Sequence, residues 1–265
     1  MWKNIVTPKK EIAKPLYTGV GIFTFLLLIG TWSVLSYGGF VNPLFLPAPD
    51  RIVATAISMF QSGEIWADIG ISFSRVASGF ILAALIGVPL GILMGSLRIV
   101  QGAFEPIIGF IRYMPASAFI PLFILWIGLG EGEKMAVIFF GTFFQLTLMV
   151  MDVTKNVQND LIEVSYTLGA KKMQLFRKVI LPASMPGIVD TLRITFGWSW
   201  TYLVVAELVG ASEGIGFMIM QASRFLKPDK IIVGIIIIGL LGLIMDLIFK
   251  AIYRVSFSWM RKEGS

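Results

Sequence analysis

The chain contains no cysteine and no histidine, and only 14% of its 265 residues are charged. Each shortage excludes some chemistry. Without cysteine there is no disulfide framework and no thiolate nucleophile; without histidine there is no Ser-His-Asp relay; without both, the common zinc and haem ligand sets are gone. Low charge excludes a surface that faces water on all sides, because an ordinary globular domain carries about 25% charged residues. What remains is apolar: 56% of the residues are hydrophobic and mean hydropathy is +0.83. Such a chain belongs in lipid, where it can transport, scaffold, or catalyse with carboxylates and lysines.

The net charge of +6 does not point to nucleic acid, since the basic residues lie between long apolar runs and form no single patch. A bilayer core about 30 Å thick needs roughly 20 apolar helical residues. Six stretches qualify, at about 16–37, 72–97, 105–129, 135–151, 187–209 and 231–252. They divide the chain into a cytoplasmic N-terminal segment, 1–15, and one polytopic domain, 16–265. The first stretch follows Lys9, Lys10 and Lys14 as a leader would, but its apolar run exceeds the ~7–15 residues of a leader core and no small-x-small site follows it. It is expected to be a retained span. Pro106, Pro115 and Pro121 make the third span a kinked helix buried in a bundle.

Six spans place both termini on one side, and lysine and arginine choose the side. Lys3, Lys9, Lys10, Lys14, Arg98, Lys155, Lys171, Lys172, Arg177, Lys178, Lys250, Arg254, Arg261 and Lys262 fall together; Arg51, Lys134, Arg224, Lys227 and Lys230 fall opposite. The bias puts the termini and the loop between spans four and five in the cytoplasm. Arg75, Arg112 and Arg193 lie within spans. Outside the spans, the run IVATAISMF after Pro43, Pro47 and Pro49 fits a short helix on the outer face or a structured loop.

The 4–5 loop, 153–186, has its own helical period. Leu161, Val164 and Leu168, then Met173, Phe176 and Ile180, predict two short helices joined at Gly169-Ala170. A basic, amphipathic pair of this kind suits either a groove on a soluble partner or the anionic inner leaflet. Its residues Glu163-Val164-Ser165, then Gly169, then Val179-Ile180-Leu181-Pro182 resemble the coupling loop of ABC-importer permeases. That pattern is Glu-Ala-Ala, three residues, Gly, nine residues, Ile-x-Leu-Pro; Val164, Ser165 and Val179 depart from it conservatively. The segments LPAPDRIV (46–53), SFSRVASGF (72–80), IGVPLGILMG (86–95), PASAFIPLFILWIG (115–128) and WSWTYLVVAELVG (198–210) are similar to the permeases for nitrate, bicarbonate, taurine and aliphatic sulfonates.

The resemblance implies an all-α membrane protein: a six-helix type I ABC importer transmembrane domain with a cytoplasmic coupling helix, in a bacterial or archaeal cytoplasmic membrane. It implies two cytoplasmic ABC ATPase subunits, an extracytoplasmic substrate-binding protein, a second permease copy as a homodimer, and surrounding membrane lipid, but no nucleic acid. ATP and magnesium would sit on the ATPase, since this chain carries no GxxxxGK[ST] loop. It also implies coupling roles for Glu163, Val164, Ser165, Gly169, Ala170, Leu181 and Pro182. Glu163 would fix the coupling helix by hydrogen bonds or a basic partner, and Gly169 would let the chain turn.

Ionisable groups in spans are candidates for function. Arg112, about seven residues inside the third span, can attract an anion and bond it in pairs, serve as a structural partner of an acid such as Glu105, or snorkel to the inner face. Thr142, Gln145 and Thr147 either line a pathway or join helices. Trp126, Trp198 and Trp200 narrow a pore or anchor at interfaces. Glu207 belongs to an outer gate, to the docking of the binding protein that the resemblance implies, or to a buried helix–helix hydrogen bond. Arg193 is expected to pair with Asp190, and Asp246 with Lys250. Gly87, Gly91 and Gly95 form a close-packing face whose partner helix the spacing leaves open. An intramembrane enzyme would need two of Asp190, Glu207 and Asp246 at one depth, and a secondary transporter would need inverted repeats; neither pattern is present.

Overall fold

The computed structural model describes residues 13–258; Lys3, Lys9, Lys10, Arg261 and Lys262 lie outside the described residues. Helix α1 (Lys14–Tyr37) carries no charge after Lys14 and buries only Ser36. Its Phe23, Leu26, Leu28 and Val34 are all more than half exposed, an arrangement that lipid favours and water does not. It is tied to the next segment where Trp32 Nε1 donates to the Pro47 carbonyl at 3.0 Å and Tyr37 OH donates to Asp50 Oδ1 at 2.5 Å.

The run IVATAISMF forms helix α2 (Pro49–Ser62), which closes at Gly63 with φ +82°. Its Ile52 and Met59 bury against Ile215 and Met218 of α9 (Ile215–Arg224) and Val233 and Ile237 of α10 (Pro228–Ser256). Helix α9 lies between the last two spans. Its apolar period is too short to span a membrane but sufficient to cover α2.

The other spans are α3 (Glu64–Ser96), the pair α4 (Arg98–Ile111) and α5 (Ala116–Ile127), α6 (Glu131–Lys155) and α8 (Lys172–Glu207). Among the described residues, five helices are long and apolar enough to cross, and the α4–α5 pair, bent by 86°, brings the number to six if it is one span. Several bounds differ from those the hydropathy indicates. Helix α3 starts eight residues before 72, because Ile65 is wholly buried and continues the inward stripe despite polar neighbours. The third span begins at Arg98, and its continuity ends at Arg112, beyond which Pro115 starts the 3-10 turn Ala116–Phe119. Helix α6 extends at both ends; Glu131 and Glu133 sit in its first turn, where the helix dipole favours acids.

In the 153–186 stretch, helices lie on either side of Gly169-Ala170 as expected, over Asn159–Thr167 and from Lys172, and the second runs on without a break into the fifth span. Residues 153–155 belong to α6, and everything from Lys172 onward belongs to α8. Pro182 does not break the helix because a π turn, Phe176–Ile180, precedes it. The proline thus falls in the first turn of the regular segment, where its missing N–H costs least.

The glycine face of α3 meets α6 of the same chain. A Cβ at Gly87 would stand 2.9 Å from Thr147 Oγ1, at Gly91 2.6 Å from the Thr147 carbonyl oxygen, and at Gly95 2.6 Å from Thr154 Cβ. Gly79 extends the seam, with Ile138 at 2.8 Å. Trp200 is 3% exposed and packs with Phe80 and Phe196 in the core, so it is neither a pore residue nor an interfacial anchor. Lys134, expected in an outer loop, is buried, with Nζ 3.1 Å from the Gly130 carbonyl.

Candidate functional site

Helix α7 (Asn159–Thr167) has no buried residue. It ends in a Schellman motif: Gly169 N–H donates to Tyr166 O at 2.9 Å and Ala170 N–H to Ser165 O at 3.0 Å. This closure needs a left-handed residue, and Gly169 supplies φ +81°. Lys171 N–H then donates to Gln174 Oε1 at 2.9 Å and starts α8. The helix shows Leu161, Val164, Tyr166 and Leu168 to solvent, while Ser165 Oγ bonds back to the Leu161 carbonyl.

Glu163 is exposed, and among the described residues it forms no hydrogen bond or ion pair. Within this chain, then, neither a hydrogen bond nor a basic side chain holds its carboxylate among the described residues. At the base of the element, Phe176 and Leu181 pack on Ile92, Leu146, Val150 and Ile188. The displayed helix is thus joined through a π turn to the rigid centre of the bundle.

A second feature lies mid-bundle. Arg112, at the bend after α4, and Gln145 of α6 and Trp198 of α8 line one cavity of about 250 Å³, with Tyr202, Phe140 and Gly141. Arg112 donates to Tyr113 OH at 2.9 Å and stacks over that ring, but it has no carboxylate partner among the described residues. Glu105 instead accepts from Gln101 Nε2 at 2.7 Å. The side chains of Gln145, Trp198 and Tyr202 form no hydrogen bond with other described residues, and no acid lines the cavity. Thr142 lies elsewhere, bonded to Ser199 at 3.1 Å between α6 and α8.

Glu207 is also absent from this cavity. It is 1% exposed at the opposite end from α7, where Oε1 accepts from Arg75 Nη1 and Ser72 Oγ, both at 2.7 Å, and Oε2 accepts from Gly216 N–H at 2.7 Å. Arg75 further binds Glu131 through Nε at 2.6 Å and Nη2 at 2.5 Å, and reaches the Glu213 carbonyl at 2.7 Å. This network joins α3, α6, α8 and the start of α9. Sequence reasoning noted Arg75 only as a charge in a span; its intramembrane position was the available signal. Arg193 sits 3.2 Å from Asp190 and 3.1 Å from Asp246, which also meets Lys250 at 2.7 Å. Asp190 and Asp246 thus converge on Arg193, which bridges them as an ion-paired cluster apart from Glu207.

Residues 87–261 match the family of binding-protein-dependent transport system inner membrane components. The chain is 32% identical over 245 residues to the taurine transport system permease protein TauC of Escherichia coli K12, covering 91% of this chain and 89% of that one. It is 36% identical to the putative aliphatic sulfonates transport permease protein SsuC of Bacillus subtilis 168, covering 90% and 87%. Its fold matches inward-facing conformations of the MetNI methionine ABC transporter with TM-score 0.57 at 23% identity, covering 71% of this chain and 96% of that chain.

Proposed function

Because the chain belongs to the family of binding-protein-dependent transport system inner membrane components, we propose that it carries a small organic anion across the cytoplasmic membrane. It is the transmembrane subunit of an ABC importer, not an enzyme, and it works with an ATPase and a substrate-binding protein. The observation that carries the substrate reading is the cavity. One cation, one amide, one indole and one phenol converge there beside Phe140, with no carboxylate to receive an ammonium group. Arg112 would bind a sulfonate or carboxylate in pairs, and the aromatic walls would take its apolar tail.

Helix α7 is the surface we assign to the ATPase. ATP-driven closure would push Val164, Leu168 and the free Glu163, and the π turn would pass that motion through Leu181 and Pro182 into α8. The cavity would then open outward, receive the anion from the binding protein, and reopen inward after hydrolysis. Bias in lysine and arginine supports cytoplasmic termini. The apolar surface of α1 supports lipid contact and a second permease copy. ATP and magnesium belong to the partner, consistent with the lack of a phosphate-binding loop in this sequence.

The test is ATP-dependent uptake into proteoliposomes holding permease, ATPase and binding protein, with labelled alkanesulfonate, taurine, nitrate and bicarbonate. Alkanesulfonate uptake that Arg112→Ala abolishes is expected. Uptake of a neutral solute, undiminished by Arg112→Ala, would overturn the anion reading.

A further inference from the structure

We propose that the turn between α9 and α10, with the exposed pair Phe225-Leu226 at its tip, is the surface on which the substrate-binding protein docks. The inference rests on the importer reading above, and three independent observations support it.

The first is conformational. Helix α9 ends as α7 does, in a Schellman motif: Leu226 N–H donates to Ser223 O at 3.1 Å and Lys227 N–H to Ala222 O at 2.9 Å. At α7 the left-handed position is held by Gly169. Here it is held by Leu226 at φ +52°, the sole non-glycine residue with positive φ among the described residues. A side chain at this position strains the backbone, whereas glycine adopts it freely. Nor does the leucine recover the cost by burial, because it is 68% exposed and Phe225 beside it is 67% exposed. Folding of this chain gains little from either side chain, and strain of this kind points to a site of contact.

The second is the platform. Three successive N–H groups at the start of α9 are held by buried or anchored side chains: Gly214 by Asp68 at 2.8 Å, Ile215 by Ser72 at 2.9 Å, and Gly216 by Glu207 at 2.7 Å. With Ile215 and Ala222 buried as well, the turn is presented on a rigid support.

The third is the chemistry and relief of the surface. The turn stands between two clefts of about 650 and 470 Å³, and Lys227 and Lys230 line both. Arg51, Arg224, Lys227 and Lys230 form no ion pair among the described residues, while Asp229 is engaged by Thr55 Oγ1 at 2.8 Å. Glu64, which lines both clefts, and Glu213, which lines one, are exposed but pair with none of these cations. Unpaired cations around an apolar knob fit a protein surface bearing carboxylates and an apolar pocket. Knob and clefts together suit the loops of a folded protein better than a flat lipid surface. The turn lies at the end of the bundle opposite α7, the side from which a binding protein would approach.

The test uses the full transporter complex and its purified substrate-binding protein, and reads the binding-protein concentration that half-maximally stimulates ATP hydrolysis. Leu226→Gly removes the side chain and the strain together. The expected result is a permease with a Tm equal to or above the parent's and a half-maximal concentration raised about tenfold. The double variant Lys227→Glu, Lys230→Glu should raise it further and flatten its dependence on salt. A half-maximal concentration within twofold of the parent in both variants would overturn the proposal. So would an unchanged value accompanied by lost self-association of the isolated permease in light scattering, which would assign the turn to a second copy. A shift seen only in phosphatidylglycerol-rich vesicles and absent in detergent would assign it to lipid and likewise overturn the proposal. Absence of any stimulation of the parent complex would remove the importer reading itself, and this inference with it.

Discussion

Arg75 Nη1 stands 2.7 Å from Glu207 Oε1, and the two side chains are 3% and 0% exposed. Neither charge has water to fall back on, so each depends on the other and on Ser72, Glu131 and the Gly216 N–H. Removing one partner of such a pair leaves the other buried and uncompensated, at about 3–5 kcal/mol. Arg75→Ala should therefore lower the Tm of the purified permease sharply. Glu207→Gln should cost less, because an amide oxygen still accepts from Ser72 or Arg75. Thermal unfolding followed by intrinsic tryptophan fluorescence checks both, and equal Tm values for Arg75→Ala and the parent would sink the assignment.

The seam between α3 and α6 makes a steric prediction. Gly91→Val would place its Cβ 2.6 Å from a backbone carbonyl that has no rotamer by which to escape. Overpacking of this kind costs about 1–3 kcal/mol. At Gly102 on α4 a Cβ meets nothing within 4 Å, so Gly102→Ala should leave stability within about 0.5 kcal/mol of the parent. Folded yield in detergent, compared between the two variants, measures the difference.

These two regions also show what could be read from the sequence. The four-residue spacing of Gly87, Gly91 and Gly95 announced a close contact, because helical periodicity is a property of the chain itself. The partner helix was not legible, since it depends on how six spans are arranged. The same holds for the cavity: Arg112, Gln145 and Trp198 each stood out as polar or aromatic groups in apolar runs, but their convergence is set by the 86° bend between α4 and α5. Thr142 and Glu207 carry similar signals and face other helices. The start of α8 lies well before the apolar run of the fifth span, because hydropathy does not register a helix that continues through polar residues and a π turn ahead of Pro182.

The displayed helix separates folding from coupling. Val164 is 56% exposed and Leu168 82% exposed, so Val164→Asp should leave the Tm of the isolated permease unchanged. Its expected effect is weaker retention of the ATPase subunit during purification and loss of uptake. Gly169→Ala acts differently: a left-handed conformation costs a Cβ-bearing residue roughly 1–2 kcal/mol, although the surrounding space is open. Transport per ATP hydrolysed should fall while the ATPase still binds. Parental coupling in both variants would remove α7 from the transmission path.

The cavity wall offers a gentler probe than its arginine. Gly141 on α6 lies under the ring of Tyr202, and a Cβ there would stand 2.5–2.7 Å from three ring atoms. The contacts include the Cγ end of the ring, so Gly141→Ala should be absorbed by a change of the whole Tyr202 rotamer and not by unfolding. That rotation moves the phenol relative to Arg112, Gln145 and Trp198, the donors that would surround the anion. Small displacements in a preorganised site reduce turnover strongly, so uptake should fall about tenfold or more with Tm within a few degrees of the parent. Tyr202→Ala combined with Gly141→Ala should then do no worse than Tyr202→Ala alone, because the clash is gone. A double variant clearly worse than Tyr202→Ala would mean that Gly141 acts through the bundle and not through the cavity.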